Sequence, residues 1–444
     1  MIEPRVLKGF RDCLPQTMIP KKEIIYKLEK IFESFGFAPI DTPALEYTEI
    51  LLGKGSGETD KQIYRFLDHG NRDIALRFDL TVPLARFVSE HYSELVFPFK
   101  RYHIAPVWRG ENTQKGRYRE FYQCDFDILG SSSVNADLEI LLTIKNGFDA
   151  INAGDYIINI NNRKILNLIL EKNKIEDRYK DILRIIDKIY KIGYLKVCEE
   201  LEQTGLTKEK IKSVMDFLNL DEYSTNFALS GKEIFNFIDK LKINLGEEAN
   251  PVLELEFIFK AFEKMGILER FALNPAITRG LDYYTGIVFE SFILDRVGFG
   301  SVCSGGRYDN LTGLYSKNVV PGVGASFGLD RLLALIEDKG KIKNSQTKTD
   351  LLIFNLSEEF ESILFYQEAA RFFRENGLNV EINYEKQKFV NQFKNAERKG
   401  LEYVAIAGEE EIKNNKFNLK NIKTGVEQKF LTKEQIINII KGIR

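Results

Sequence analysis

The stretch FKRYHIAPVWRGENTQKGRYREFYQCDFDI, Phe99–Ile128, decides the fold. It reads as a hairpin-like pair of strands, Phe99 to Arg109 and Arg119 to Ile128, joined by the polar loop GENTQKGRY. Side chains two residues apart on a strand share a face, so Gln123, Asp125 and Asp127 point one way while Tyr122, Cys124, Phe126 and Ile128 point the other. One face is polar and acidic, the other apolar. Such alternation is also what any antiparallel strand with one solvated face displays. The loop region holds Arg109, Glu111, Lys115, Arg117 and Arg119, with Phe121 just beyond. It suits a solvated hairpin tip and a nucleotide site equally, because guanidinium groups bind phosphate oxygens bidentately and an aromatic face stacks on a purine.

Upstream, Ile24, Ile25, Leu28, Ile31, Phe32 and Phe35 fall at helical spacing between Lys21 and Phe35, and Gly36 closes that amphipathic helix as a C-cap. Pro39 and Pro43 limit the stretch Phe37 to Leu45 to an edge or irregular strand. From Ile74 the alternation Leu76, Phe78, Leu80 predicts a strand, which meets a helix at Asp79 to Thr81. There Thr81 supplies the N-cap and Pro83 the first-turn proline.

Downstream, Asp155 to Asn161 is a short strand, and then the pattern changes. From about Arg163 to Met265 the chain carries charged amphipathic helices such as KILNLIL, DILRIIDKIY and KIKSVMDFL, which read as a helical insertion. Strands resume at Arg279 to Phe292 and Val323 to Phe327. RGLDYYTGIVFE, Arg279–Glu290, sets an arginine and two tyrosines in a strand-like run. GSVCSGGRYDNL, Gly300–Leu311, brings a Gly-Gly turn beside Arg307 and Tyr308; glycine allows close backbone approach, although hairpins also use it for backbone reasons alone. Arg331 follows a glycine-rich strand in the first turn of a helix, where the dipole and free N–H groups favour an anion. The polar stretch Lys339 to Asp350 is the linker candidate, and beyond it β and α segments alternate in an α/β layer pattern.

The 444 residues exceed the roughly 250–300 at which single cores divide, so two or three domains are expected. A net charge of −2 excludes a whole-chain basic signature, so an RNA partner would have to be met by local patches. Cys13, Cys124, Cys198 and Cys303 form no CxxC pair and the three histidines form no HExxH, so neither a zinc site nor a disulfide framework is expected. The N-terminus lacks a basic segment followed by an apolar stretch, and no window approaches a membrane span of ~18 uncharged apolar residues. A cytosolic protein is the expectation.

Taken together and in this order, these segments resemble the class II aminoacyl-tRNA synthetases. RGLDYYTG and SGGRYD resemble the two signature motifs of the histidyl-tRNA synthetase family, and KGFRDCLP, LRFDLTVP, INNRKIL and the α/β tail fall in that family's order. The fold this implies is of mixed α/β class: an α+β catalytic domain over residues 1–340, built on an antiparallel sheet flanked by helices and interrupted by a helical insertion over 163–265, then an α/β anticodon-binding domain over 348–444. The resemblance implies a homodimer whose contact includes the helix ending near Gly36 and the strand with Pro43.

It further implies that Arg109 holds the α-phosphate of ATP, that Glu111 meets the adenine side, that Phe121 stacks on the base and that Arg331 binds the γ-phosphate, with Arg117 in the same ATP site. In the GLDR element Asp330 stands where glutamate is more usual. Asp79, Thr81, Gln123 and Asp127 map onto the ammonium and imidazole subsites for L-histidine, and Tyr283, Tyr284 and Tyr308 onto the pocket walls. Arg279 maps onto the catalytic arginine that neutralises charge as the histidine carboxylate attacks. Mg2+ would ride on the β- and γ-phosphates without a protein-only cage, and tRNA(His) would accept the histidine, with the loop around Gln114 to Arg119 facing its acceptor end. The alternative is a non-catalytic, histidine-sensing regulatory paralogue of the kind that partners ATP phosphoribosyltransferase. Such paralogues tend to lose the ATP arginines and the tail, both of which this chain retains.

Overall fold

The hairpin forms in full register, from Phe99 opposite Leu129 to Trp108 opposite Glu120, which sets Arg101 across from Asp127 and Ala105 across from Gln123. The computed structural model describes residues 1–53, 62–113, 116–175, 179–222, 226–277, 283–340 and 346–442. The chain divides into two units, Met1–Arg11 with Glu23–Lys339, and Asp12–Lys22 with Gly340–Arg444.

In the first unit, among the described residues, the hairpin belongs to an eight-stranded sheet. Its order is Ala38–Pro39, Phe99–Trp108, Glu120–Leu129, Gly322–Gly328, Cys303–Tyr308, Ile287–Ile293, Tyr156–Asn162 and Phe271–Leu273. The six central strands pair antiparallel. Parallel pairing is confined to the two edges. The proline-bearing edge expected after Gly36 is the two-residue strand Ala38–Pro39, which pairs on one side only, as a residue without an N–H donor requires.

The apolar face of the sheet takes the helices. Phe126 and Phe327 are fully buried and pack with Phe32 of the helix Pro15–Ser34, at ring separations of 4.7 Å for Phe32–Phe126 and 6.0 Å for Phe126–Phe327. The helix Val134–Ile151 starts where the Ser133 hydroxyl accepts from the Asn135 amide, and it buries Ile140, Leu141, Ile144, Phe148 and Ile151 along one stripe. Gly147 lets this helix settle close, because a Cβ there would lie 2.6 Å from the Phe327 ring. Phe148 then meets Phe327 edge-on at 5.1 Å.

The segment before the helix Thr81–Glu90 differs from the sequence reading in two respects. The strand is only Asp73–Leu76, in a three-stranded sheet with Leu45–Tyr47 and Arg65–Leu67, so Phe78 and Leu80 are buried from a loop and not from a strand. The cap is also not Thr81. Leu80 already has αR backbone angles, which places the cap one residue earlier, and the Asp79 carboxylate accepts from the Val82 amide at 3.0 Å. Capping thus fixes one oxygen of Asp79.

The helices from Arg163–Lys172 to Asn250–Lys264 belong to the same unit as the large sheet. The second unit holds a five-stranded sheet in the order Val380–Ile382, Leu351–Ile353, Tyr403–Ile406, Phe417–Asn421 and Glu427–Leu431, with the first three parallel. Alternation along its central strands feeds two cores: Leu351, Ile353 and Ala405 pack with Phe373 and Ile436, whereas Leu352 and Val404 pack with Phe354, Ala396 and Leu401. No described helix is long and apolar enough to cross a membrane.

Because Phe126 sits at the centre of the aromatic layer, Phe126→Ala should lower the stability of the first unit by about 3–5 kcal/mol. Urea denaturation of the full chain measures this, and an unchanged midpoint would remove the layer from its central place.

Candidate active site

The opposite face of the sheet is built from glycines, serines and carboxylates. Across Glu120–Leu129, Gly322–Gly328 and Cys303–Tyr308 the register aligns Asp125 with Ser326 and Ser304, and Asp127 with Gly324 and Gly306. The two glycines are there because nothing larger fits. A Cβ on Gly324 would lie 1.9 Å from the Asp127 carboxylate, and one on Gly306 would lie 2.6 Å from the Ile287 carbonyl and 3.0 Å from the Tyr284 ring. Gly305 and Gly306, expected in a turn, therefore lie inside a strand, where their want of a side chain makes room over the sheet.

A cavity of about 310 Å³ opens on this face, and seven of the expected site residues line it: Arg109, Glu111, Arg117, Phe121, Gln123, Tyr284 and Arg331. Arg109 is steered by its Nε, which donates to the Phe78 carbonyl at 2.9 Å, and its guanidinium lies over the Phe121 ring at 5.2 Å. Its Nη1 is 3.8 Å from Glu111. Arg331 stands in the first turn of the helix Leu329–Asp338 and donates to the Ser301 carbonyl. Burial and then the neighbouring Arg117 pull its pKa below the usual range; Arg109 adds to this and Glu111 opposes it. Three arginines thus converge on one cavity, with Glu111 beside Arg109 and Asp330 held by Arg11, an arrangement that suits a phosphate chain.

Gln123 marks the border of a second, more enclosed region. Its Nε2 donates to Ser326 at 3.1 Å, while among the described residues its buried Oε1 has no hydrogen-bond partner. Beyond it, Asp127 accepts from the Tyr308 hydroxyl at 2.5 Å and forms an ion pair with Arg101 at 2.6 Å. The rings of Tyr283 and Tyr284 are 5.1 Å apart, and those of Tyr283 and Tyr308 are 5.9 Å apart. Asp79 contributes a second buried oxygen without a described partner, and Thr81 opens the adjoining helix. Burial pushes the carboxyls of Asp79 and Asp127 up, opposed by the Val82 amide in the first case and by Arg101 in the second. Burial likewise holds the hydroxyls of Tyr283, Tyr284 and Tyr308 above the phenol range, so they stay neutral donors. The region is tyrosine-walled and acceptor-rich and meets the cavity at Gln123 and Tyr284, a chemistry suited to a small ligand bearing N–H donors.

Arg279 lies outside the described residues, as do Gln114 and Lys115. The segment that follows Arg279 is held at its far end. The Thr285 amide donates to the Arg307 carbonyl at 2.7 Å, and the Thr285 hydroxyl donates to Asp309 at 2.8 Å. Arg307 itself points to the helix side of the sheet, where its Nε meets Asp137 at 3.0 Å.

Several contacts of the site were not legible in the sequence. Asp330 joins Arg11 at 2.5 Å and accepts from the Tyr122 amide at 2.7 Å, so it ties the N-terminal segment to the central strand. Asp125 belongs to the acidic face that alternation exposes, yet nothing in the pattern says that it is buried. Arg101 gave no signal, because only the register of the hairpin sets it opposite Asp127.

An antiparallel sheet with a phosphate-suited arginine at its hairpin and another at the following helix N-terminus is the catalytic architecture of a class II aminoacyl-tRNA synthetase. The family model described as histidyl-tRNA synthetase matches residues 9–332, and that described as anticodon binding domain matches residues 350–443. The chain is 45% identical over 403 residues to a histidine–tRNA ligase of Treponema denticola, covering 91% of this chain and 88% of the relative. It is 43% identical over 442 residues to that of Helicobacter pylori, covering 99% and 98%. The crystal structure of histidyl-tRNA synthetase from Nostoc sp. superposes with a TM-score of 0.87 at 33% identity, each chain being covered in full. This chain belongs to the histidyl-tRNA synthetase family.

The buried acid Asp125 makes a pH prediction. Burial raises its pKa from 3.8 to about 7, with Arg101 opposing the rise. In the unfolded chain the carboxyl ionises near 3.8, so the stability it confers in acid is lost as pH climbs toward 7. Relative to the wild type, Asp125→Asn should gain about 2–3 kcal/mol between pH 5 and pH 8. Urea denaturation at both pH values tests this; a difference that does not change with pH would show that Asp125 ionises normally.

Proposed function

We propose that this chain is a histidine–tRNA ligase, which activates L-histidine with ATP and transfers it to the 3′ end of tRNA(His). The observation that carries the reading is the meeting of Arg109, Arg117 and Arg331 in one cavity that Gln123 and Tyr284 also line. A regulatory paralogue has no need of that cationic end, so its presence favours the enzyme.

In this reading ATP lies with its adenine on Phe121 and Glu111, its α-phosphate on Arg109 and its γ-phosphate on Arg331, with Arg117 adding charge. Histidine lies with its ammonium toward Asp79, Thr81 and Gln123, and with its imidazole toward Asp127, walled by Tyr283, Tyr284 and Tyr308. An oxygen of the histidine carboxylate attacks the α-phosphorus, the bond to the β-phosphate's bridging oxygen breaks, and pyrophosphate leaves. No protein nucleophile is required, so the contribution of Arg109 and Arg279 is electrostatic: they neutralise charge that builds on the α-phosphate in the transition state. The ribose hydroxyl of the tRNA then attacks the acyl carbon, and AMP departs.

Mg2+ fits the donor set only as a phosphate-borne ion. Among the described residues no three His, Cys, Asp or Glu side chains come together as a metal cage. Of the carboxylates lining the cavity, Asp330 is engaged by Arg11 and by the Tyr122 amide, and Glu111 lies 3.8 Å from Arg109 on the cavity wall. Held by the phosphates and water with one such carboxylate, the ion would supply charge neutralisation for pyrophosphate departure.

The reading includes a homodimer, supported by the exposed apolar row Leu45, Tyr47 and Phe66 on the three-stranded sheet, which follows the helix and edge strand of the dimer motif. It includes residues 163–265 as a helical insertion, residues 348–444 as the reader of the anticodon, and a cytoplasmic place of work.

The purified protein should exchange pyrophosphate into ATP with L-histidine and with none of the other common amino acids. Arg109→Ala and Arg331→Ala should each lower kcat by roughly 10²–10³-fold. Arg279→Ala should abolish most adenylate formation while leaving histidine binding largely intact. Exchange indifferent to histidine, or rates untouched by these substitutions, would overturn the proposal.

A further inference from the structure

Arg101 is a fully buried guanidinium that the reaction just described does not use. It stands directly across the hairpin from Asp127, with Nη2 2.6 Å from one carboxylate oxygen, while the Tyr308 hydroxyl donates to the other at 2.5 Å. The Arg101–Asp127 contact is an ion pair; Nη2 also donates a long hydrogen bond, 3.5 Å, to the Leu80 carbonyl, and among the described residues Nε and Nη1 have no hydrogen-bond partner. Desolvating a guanidinium is costly, and a buried arginine with two donors unmet is poor value for stability alone.

The surroundings explain why the charge is kept. Asp79, Asp125 and Asp127 are three buried carboxylates within its field, and Arg101 lowers the pKa of each against the effect of burial. His103, on the same strand, does not substitute for it: burial and the fields of Arg101 and Arg77 lower its pKa to about 4, against the pull of Asp41, so it is neutral near pH 7. An ionised carboxylate only accepts hydrogen bonds, whereas a protonated one can donate in the wrong sense. Arg101 has no exposed surface and its Nη2 lies against the Asp127 carboxylate, so it acts through Asp127 and not by touching the ligand.

We propose that Arg101 is a specificity-determining positioning residue, which pairs with one oxygen of Asp127 and so fixes the carboxylate in the orientation that accepts an N–H of the substrate's imidazole. The inference rests on the reading of Asp127 as the imidazole partner. Side chains with no N–H to give would leave a buried, ionised acceptor unpaired, which is the strongest form of rejection available to a small pocket.

The test is histidine-dependent pyrophosphate exchange by the full chain carrying Arg101→Leu, Arg101→Lys, Asp127→Asn, or Arg101→Leu with Asp127→Asn. Arg101→Leu should raise the KM for histidine on the order of 100-fold while changing the KM for ATP less than about threefold. Arg101→Lys, which keeps the charge, should recover much of that loss. In the Asp127→Asn background, Arg101→Leu should add less than about threefold, because its effect passes through Asp127. An unchanged KM for histidine, a parallel rise for ATP, or an equal penalty in the Asp127→Asn background would overturn the inference. If Arg101→Leu fails to fold, Arg101→Lys decides: a selective, moderate rise for histidine supports the role, and a matched rise for ATP refutes it. A wild-type chain without histidine-dependent exchange would defeat the underlying reading; an active wild type with an indifferent Arg101→Leu would defeat this inference alone.

Discussion

Phe126 and Asp127 are neighbours in the chain, yet one lies in a layer of stacked aromatic rings and the other in a pocket of carboxylates and tyrosines. The strand that carries both can serve neither purpose unless its register is held, since a slip of one residue would send each side chain to the wrong face. The antiparallel ladder on both sides of Glu120–Leu129 supplies that hold. Phe32 and Phe327 then reward the correct register by packing on Phe126, with Phe148 edge-on to Phe327, and the glycines of the neighbouring strands make room for Asp127 on the other side. Folding and site construction are thus one event in this sheet.

The polar face has two chemically distinct ends. Around Phe121, Arg109, Arg117 and Arg331 crowd together, and past Gln123 come Asp79, Asp125 and Asp127. Neither group is fully compensated by its own neighbours, so each lowers the stability of the ligand-free protein and gains when a ligand of opposite charge or complementary hydrogen bonding arrives. A nucleotide triphosphate suits the first and an amino acid with a ring N–H suits the second, and the short distance between the two regions is what lets one react with the other. Asp330, tying Arg11 to the Tyr122 amide, steadies the base of the cationic end.

Much of this could be read before any coordinates, and for identifiable reasons. Period-two alternation announced the acidic face of Gln123, Asp125 and Asp127, and Pro39 announced an edge strand. Local signals were less reliable where two short-range choices compete: Asp79 and Thr81 are both good caps, and only the αR conformation of Leu80 decides for Asp79. The pair Gly305 and Gly306 resembled a turn because the crowding that demands glycine there comes from residues distant in sequence, Gly324 and Phe289 at Gly305 and Ile287 and Tyr284 at Gly306. Arg101 was illegible for the same reason, since its partner lies across a hairpin whose register no local pattern fixes. What the sequence hides is which long-range neighbours a residue meets.

A crystal structure of the protein with ATP and histidinol, an alcohol that lacks the attacking carboxylate, tests the central claim most directly. The account predicts the triphosphate between Arg109 and Arg331, the adenine ring on Phe121, and the imidazole within hydrogen-bond distance of the Asp127 carboxylate. A triphosphate bound away from those two arginines, or an imidazole that turns its N–H groups from Asp127, would contradict it.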